Sequence, residues 1–147
     1  MKKKILLPFI LTLMAAIPFS FHQGFAAEPL SIGAVFSITG PFSFLGEPER
    51  NSAKMLEEEI NAAGGIQGRP LKVVIEDTKS DEGQTVLSVR KLLEKDKVIA
   101  IIGPSTTGES MAVVPIMEKA ETPLISCAAG LSIVTPKEEL DRIFAEL

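Results

Sequence analysis

Between Leu30 and Ser126, four apolar runs of strand length alternate with three segments of helical periodicity, and each join is marked by glycine, proline or a short polar stretch. Strands that feed helices and then further strands read as a parallel sheet with crossover helices. The expected class is α/β, a three-layer Rossmann-like lobe.

The first strand is Leu30 to Phe36, followed through Thr39-Gly40-Pro41 by a helix from about Glu47 to Ala63 with Met55, Leu56, Ile60 and Ala63 on its apolar face. Gly64-Gly65 ends that helix, as glycine does at helix C-termini. A turn over Ile66 to Pro70 leads to a second strand, Leu71 to Asp77, and Asp81 caps a helix from about Glu82 to Lys95. Val98 to Gly103 is the third strand, and Glu109 to Glu121 reads as a third helix despite Pro115. Pro123 to Ser126 reads as a short buried fourth strand, and Lys137 to Leu147 as a last amphipathic helix after Thr135-Pro136.

Open parallel sheets bind ligands outside the carboxyl ends of their strands, where helix N-termini present free N–H groups. Three loops qualify, Thr39 to Gly46, Gly103 to Gly108 and Ser126 to Gly130, and all are small, hydroxyl-bearing or rich in glycine. The second comes within one residue of a phosphate-binding loop. Gly103 and Gly108 have the spacing and Ser110 follows, but Glu109 stands where the lysine belongs and would repel phosphate. Nucleotide is therefore not an expected ligand, and Glu109 reads as an acidic residue in the first turn of a helix.

The same loop suits a singly charged carboxylate, held by N–H groups near Thr107 and Gly108 and by the hydroxyls of Ser105, Thr106 and Thr107. Those hydroxyls equally suit helix capping, and the residues alone leave both roles open. Phe42, Phe44 and Leu45 either line a hydrophobic pocket or pack on their own helix. Glu57, Glu58 and Glu59 read as a solvated face.

The N-terminus bounds the chemistry further. Lys2, Lys3 and Lys4 precede the apolar stretch Ile5 to Phe21 and the small-residue site around Ala26, the form of a secretory signal peptide over residues 1–26. Cleavage would remove His22, the single histidine, leave a chain without His, Tyr or Trp, and take the formal charge from −4 to −7. That acidity argues against nucleic acid as a partner. The missing histidine argues against a serine or cysteine nucleophile. Cys127 is the only cysteine, so no internal disulfide forms, and it reads as a small buried hydrophobe. Glu76, Asp77 and Asp81 match no calcium-loop spacing, and no metal or other cofactor is expected.

Together I-x-x-T-G-P, N-A-A-G-G-I-x-G-R, the D-T-x-S-D turn and I-I-G-P-S make a specific set. Over roughly Leu30 to Pro136 the chain resembles the N-terminal part of the periplasmic leucine/isoleucine/valine-binding type proteins, the type I substrate-binding components of ABC importers. In that family two lobes close on an amino acid or similar small ligand. The resemblance carries ligand binding onto Ser105, Thr106 and Thr107, onto Ala128, Ala129 and Gly130, and onto Leu45 beside the ligand's side chain. Many relatives have threonine at the place of Gly130, which implies one hydroxyl contact fewer here.

The resemblance implies a periplasmic, non-enzymatic binding component for branched-chain or related amino acids or small carboxylates, with the importer's membrane permease as partner. The alternative is an extracytoplasmic ligand-sensing or interaction domain. Family members are far longer, so residues 27–147 are expected to form an incomplete first lobe. The tail Lys137 to Leu147 does not resemble the family's segment at that point. An incomplete lobe would expose strand edges and bind only in the millimolar range, about 4 kcal/mol.

Overall fold

The computed structural model describes residues 28–135. The signal segment and the tail helix expected over Lys137 to Leu147 lie outside the described residues.

The strands β1 (Leu30–Phe36), β2 (Leu71–Asp77), β3 (Ile101–Ile102) and β4 (Leu124–Ile125) form one parallel sheet in the order β2-β1-β3-β4. The helices are α1 (Ser43–Ala62), α2 (Glu82–Glu94) and α3 (Thr107–Lys119), and a single 3-10 turn, Leu131–Ile133, follows β4. This is the α/β lobe that the alternation of apolar runs predicts.

The core lies between β1, β3, α2 and α3, where Val35, Val89, Leu92, Ile101 and Val113 are fully buried. α1 packs against β1 and β2, apart from the α2–α3 pair. Its expected apolar face is not the buried one, since Met55 and Leu56 are 60% and 49% exposed. Of that face Ile60 is half-buried, as is Ala53, and beside them α1 sets polar groups against the edge of β2. The Glu57 carboxylate accepts from Val73 N–H at 3.1 Å, and the Asn61 side chain both accepts from Leu71 N–H and donates to its carbonyl, each at 2.8 Å. β2 is an edge strand, so these side chains take the place of a neighbouring strand. Asn61→Leu leaves both Leu71 groups unpaired and is expected to cost about 1–2 kcal/mol in urea unfolding; an unchanged midpoint would contradict this role.

Four local expectations need correction. α1 begins at Ser43, four residues before the expected start, with Pro48 inside it. The reason is Gly46: a Cβ there would stand 2.2 Å from the Ser37 carbonyl carbon, so its bare backbone lets the first turn lie against the end of β1. α3 begins at Thr107 and passes through Pro115, an exposed position at which the freed carbonyl can be hydrated. β3 as a ladder strand is only Ile101–Ile102, although the run before it stays beside β1, with Ile99 N–H donating to the Ser31 carbonyl at 3.0 Å and Gly33 N–H to that of Ala100 at 2.8 Å; Val98 is buried and Ile99 57% exposed. β4 is not buried, since it forms the far edge of the sheet with Ile125 63% exposed.

Candidate functional site

The sheet order places the crossover switch between β1 and β3, and the chain leaves both strands at the same end. After β3 the backbone turns at Gly103 with φ +96°, and a Cβ there would lie 2.1 Å from the Val35 carbonyl oxygen. Only glycine fits. A cis Gly103–Pro104 bond follows, and the chain then presents Ser105, Thr106 and Thr107.

Two of these three hydroxyls are engaged within the protein. Ser105 Oγ accepts from Ser37 N–H at 2.9 Å and donates to the Glu49 carboxylate. Thr106 caps α3, accepting from Glu109 N–H at 3.3 Å and donating to Glu109 Oε2 at 2.7 Å. The Thr-x-x-Glu pair is a variant of the capping box, in which the glutamate meets the cap hydroxyl rather than its N–H.

Glu109 itself is 2% exposed. Besides Thr106, its carboxylate accepts from Ser37 Oγ at 2.8 Å and from Thr78 Oγ1 at 2.5 Å, while Thr85 Oγ1 lies 3.3 Å away. The described ion pairs, Arg90–Glu94 and Lys91–Glu76, lie elsewhere. Hydroxyl dipoles and the N-terminus of α3 thus compensate a buried anion in place of a cation. Where a phosphate-binding loop has its lysine, this chain has a core side chain pointing inward. The first-turn placement expected from sequence holds, and burial is the addition.

The neighbouring Glu49 is half-buried. Desolvation first, and then repulsion from Glu109, raise its carboxyl pKa above the usual range, against the lowering effect of the Ser105 hydrogen bond. Cys127, expected to be buried, is exposed. Partial desolvation and the nearby Glu49 charge still push its thiol pKa up. The thiol form therefore dominates at neutral pH.

A second hydrogen-bond cluster anchors the start of α1. Asp77 at the end of β2 accepts from Thr39 Oγ1 at 2.7 Å, from Thr39 N–H at 3.1 Å and from Lys79 N–H at 2.9 Å. Ser80 Oγ donates to the Thr39 carbonyl and accepts from Phe42 N–H, which anchors the residue that opens α1. Burial pushes the Asp77 pKa up, but bonds from the Thr39 hydroxyl and the N–H groups of Lys79, Thr39 and Ile38 outweigh it, for a net lowering. A lowered folded-state pKa stabilises above the unfolded value and is lost as pH falls through the folded one, so the window lies below about pH 4. The melting-temperature gap between the protein and Asp77→Asn is expected to be widest near neutrality and to narrow below that pH; a gap constant from pH 7 to 2.5 would rule it out.

Together these anchors shape an open cleft of about 400 Å³. Phe42, Phe44 and Leu45 form one wall, Ser105, Thr106 and Thr107 the floor, and Cys127, Ala128 and Ala129 the other wall. The two phenylalanine rings stand 6.4 Å apart at 56°. All three loops singled out from the sequence thus meet at one place. Gly130 does not line the cleft but backs it, because a Cβ there would stand 2.4 Å from Thr107 Cγ2. Thr107 fills the space that a side chain at position 130 would need. Sequence reasoning missed Ser37, Thr78 and Glu49; a hydroxyl residue directly after β1 and another after β2 were the available signal.

The family model for periplasmic binding proteins matches residues 29–145. The chain belongs to that family. The periplasmic binding protein match runs into the tail, which corrects the expectation that the tail departs from the family. Among curated relatives, Leu/Ile/Val-binding protein homolog 7 of Brucella abortus is 27% identical over 112 residues, covering 76% of this chain and 28% of the relative. The leucine-, isoleucine-, valine-, threonine- and alanine-binding protein of Pseudomonas aeruginosa is 30% identical over 112 residues, covering 76% of this chain and 30% of the relative. The chain thus spans less than a third of these proteins' length.

Among solved structures, the branched-chain amino acid transporter substrate-binding protein LivJ of Streptococcus pneumoniae, in complex with isoleucine, superposes with a TM-score of 0.69 at 36% identity, covering 71% of this chain and 30% of that one. A solute-binding protein of an ABC transporter from Rhodopseudomonas palustris, in complex with 3,4-dihydroxybenzoic acid, gives 0.64 at 27% identity, covering 71% and 28%. The family is one of substrate-binding proteins.

Proposed function

We propose that this chain forms one wall of the ligand site of an ABC importer's substrate-binding protein, acting outside the cytoplasmic membrane with the membrane permease as partner. Its ligand is an amino acid or a similar small carboxylate. One observation carries the reading: the three loops at the carboxyl ends of the strands converge on a cleft whose lining, among the described residues, contains no charged side chain.

A carboxylate in that cleft meets the start of α3, where the N–H groups of Thr107 and Gly108, as first residues of a helix, have no intrahelical acceptor. The Thr107 hydroxyl stands beside them, whereas those of Ser105 and Thr106 are engaged with Glu49 and Glu109. Ser105 and Thr106 therefore act by positioning the loop, and Thr107 makes the direct contact. The apolar part of the ligand lies against Phe42, Phe44 and Leu45. The relatives' named ligands, leucine, isoleucine, valine, threonine, alanine and an aromatic acid, all carry a carboxylate, and most join it to an apolar body.

Calorimetric titration with leucine, isoleucine, valine and 3,4-dihydroxybenzoate tests the reading. The described cleft is open to solvent, so the expected affinity is millimolar, about 4 kcal/mol. Thr107→Val removes a hydrogen bond to a charged group and is expected to weaken binding about tenfold, or about 1.4 kcal/mol. Absence of binding, or titration curves that Thr107→Val leaves unchanged, would overturn the assignment. Micromolar affinity would instead sink the idea of a one-walled site.

A further inference from the structure

Two carboxylates stand one hydroxyl behind the floor of the cleft. Ser105 Oγ donates to Glu49, and Thr106 Oγ1 donates to Glu109 Oε2 at 2.7 Å. Each hydroxyl also accepts an N–H, Ser105 from Ser37 and Thr106 from Glu109. With its proton committed to an anion, a hydroxyl has only a lone pair left to offer, and the charge behind it makes that oxygen more negative. Ser105 and Thr106 therefore present acceptors. The next residues do the opposite, since the N–H groups of Thr107 and Gly108 at the start of α3 are donors without intrahelical acceptors. The loop thus carries an acceptor pole and a donor pole side by side.

The field of Glu49 also reaches the far wall. After desolvation, the Glu49 charge is what pushes the Cys127 thiol pKa up, and Cys127 lines the cleft. Among the described residues neither carboxylate is paired with a cation, because the ion pairs of Arg90 with Glu94 and of Lys91 with Glu76 lie elsewhere. Unpaired negative charge behind an uncharged lining favours a ligand that brings an ammonium group and penalises one that brings only a carboxylate.

We propose that Glu49 is a specificity-determining residue of this cleft: acting through Ser105, it selects ligands whose carboxylate is accompanied by an ammonium group over ligands that are simple anions. The inference rests on the ligand site proposed above and gives Glu49 a positioning and electrostatic role, without contact to the ligand.

Calorimetric titration with leucine and with 4-methylpentanoate, which is leucine without its ammonium group, tests it at about pH 8. The full chain is compared with Glu49→Gln, which keeps an acceptor for Ser105 and loses the charge. The wild-type chain is expected to bind leucine about fivefold more tightly than 4-methylpentanoate, and the variant to lose most of that ratio by gaining affinity for the simple anion. In the same variant the Cys127 thiol, the single cysteine, titrates at lower pH, read from the pH profile of its alkylation by iodoacetamide. A Glu49 that merely supports the loop would weaken both ligands alike, and an unmoved ratio or an unmoved Cys127 titration overturns the proposal. Binding of neither ligand by the wild-type chain overturns the ligand site and this selectivity with it, whereas binding with an unmoved ratio overturns the selectivity alone. If Glu49→Gln does not fold, the wild-type chain decides through Cys127: relative to free cysteine, a cationic methanethiosulfonate is expected to label it about fivefold faster than an anionic one, and equal relative rates overturn the proposal.

Discussion

Glu109→Ala is expected to lower the free energy of unfolding by about 3–5 kcal/mol, a large share of the stability of a domain this size. The substitution strands the hydroxyls of Ser37 and Thr78, both fully buried, and opens a cavity where the carboxylate stood. It also removes the partner of the α3 cap. Glu109→Gln keeps the size and one acceptor, so its cost should be the smaller of the two. Glu109→Lys, which restores the residue of a phosphate-binding loop, is expected to be the worst: it buries a longer, cationic side chain among hydroxyls in a site shaped for a carboxylate, with the nearby Glu49 already held by Ser105, and it creates no nucleotide site. Urea unfolding read by circular dichroism measures all three. An alanine variant within about 1 kcal/mol of the parent would show that the hydroxyls find other partners.

The second large effect is expected at Gly103. Alanine there must hold φ at +96° and push its Cβ to 2.1 Å from the Val35 carbonyl oxygen. Neither group can yield cheaply, because Val35 is fully buried in the central strand. The loss should be about 3 kcal/mol or more, with a cleft floor displaced from the end of β1. Gly108, five residues on, is the control. A Cβ there meets only the carboxylate of Glu82, an exposed and flexible side chain, and the position lies inside α3. Gly108→Ala should therefore be neutral or mildly stabilising, within about 1 kcal/mol. Equal melting temperatures for the two alanine variants would refute the distinction between a strained crossing and an ordinary helical glycine.

Glu49 shows how the site's electrostatics connect to its geometry. It sits between Ser105, which it orients, and Glu109, whose charge disfavours its own ionisation. A carboxyl whose folded-state pKa is raised loses stability as pH climbs through that value. Glu49 lies behind Ser105 rather than in the cleft, and no cation stands among the described lining residues, which leaves ligand carboxylates to the backbone N–H groups of α3.

Much of the fold was legible because its signals are local. β1 and β2 have the bounds that their apolar runs imply, Asp81 caps α2 by accepting from Gln84 N–H at 2.7 Å, and Gly64 and Gly65 adopt the positive φ that ends α1. The start of α1 was not legible, because Gly46 reads as the end of a loop until it is seen against the backbone of Ser37. Nor was the role of Glu57, one of three consecutive glutamates, of which this one turns inward to the edge of β2. The cleft lay between these cases: its three loops were identifiable by their position after strands, but not which hydroxyls remain free.

The sequence by itself determined the order of elements, the strand ends at which a ligand loop can stand, and membership of the periplasmic binding protein family, because periodicity, caps and short motifs act over a few residues. Only the tertiary structure decided what each polar group does. Ser37 and Thr78 meet Glu109 across 72 and 31 residues of chain, and Ser105 meets Glu49 across 56. A hydroxyl has the same local signature whether it faces a ligand or a buried carboxylate. Which of the two it meets depends on the packing that brings distant segments within hydrogen-bond range.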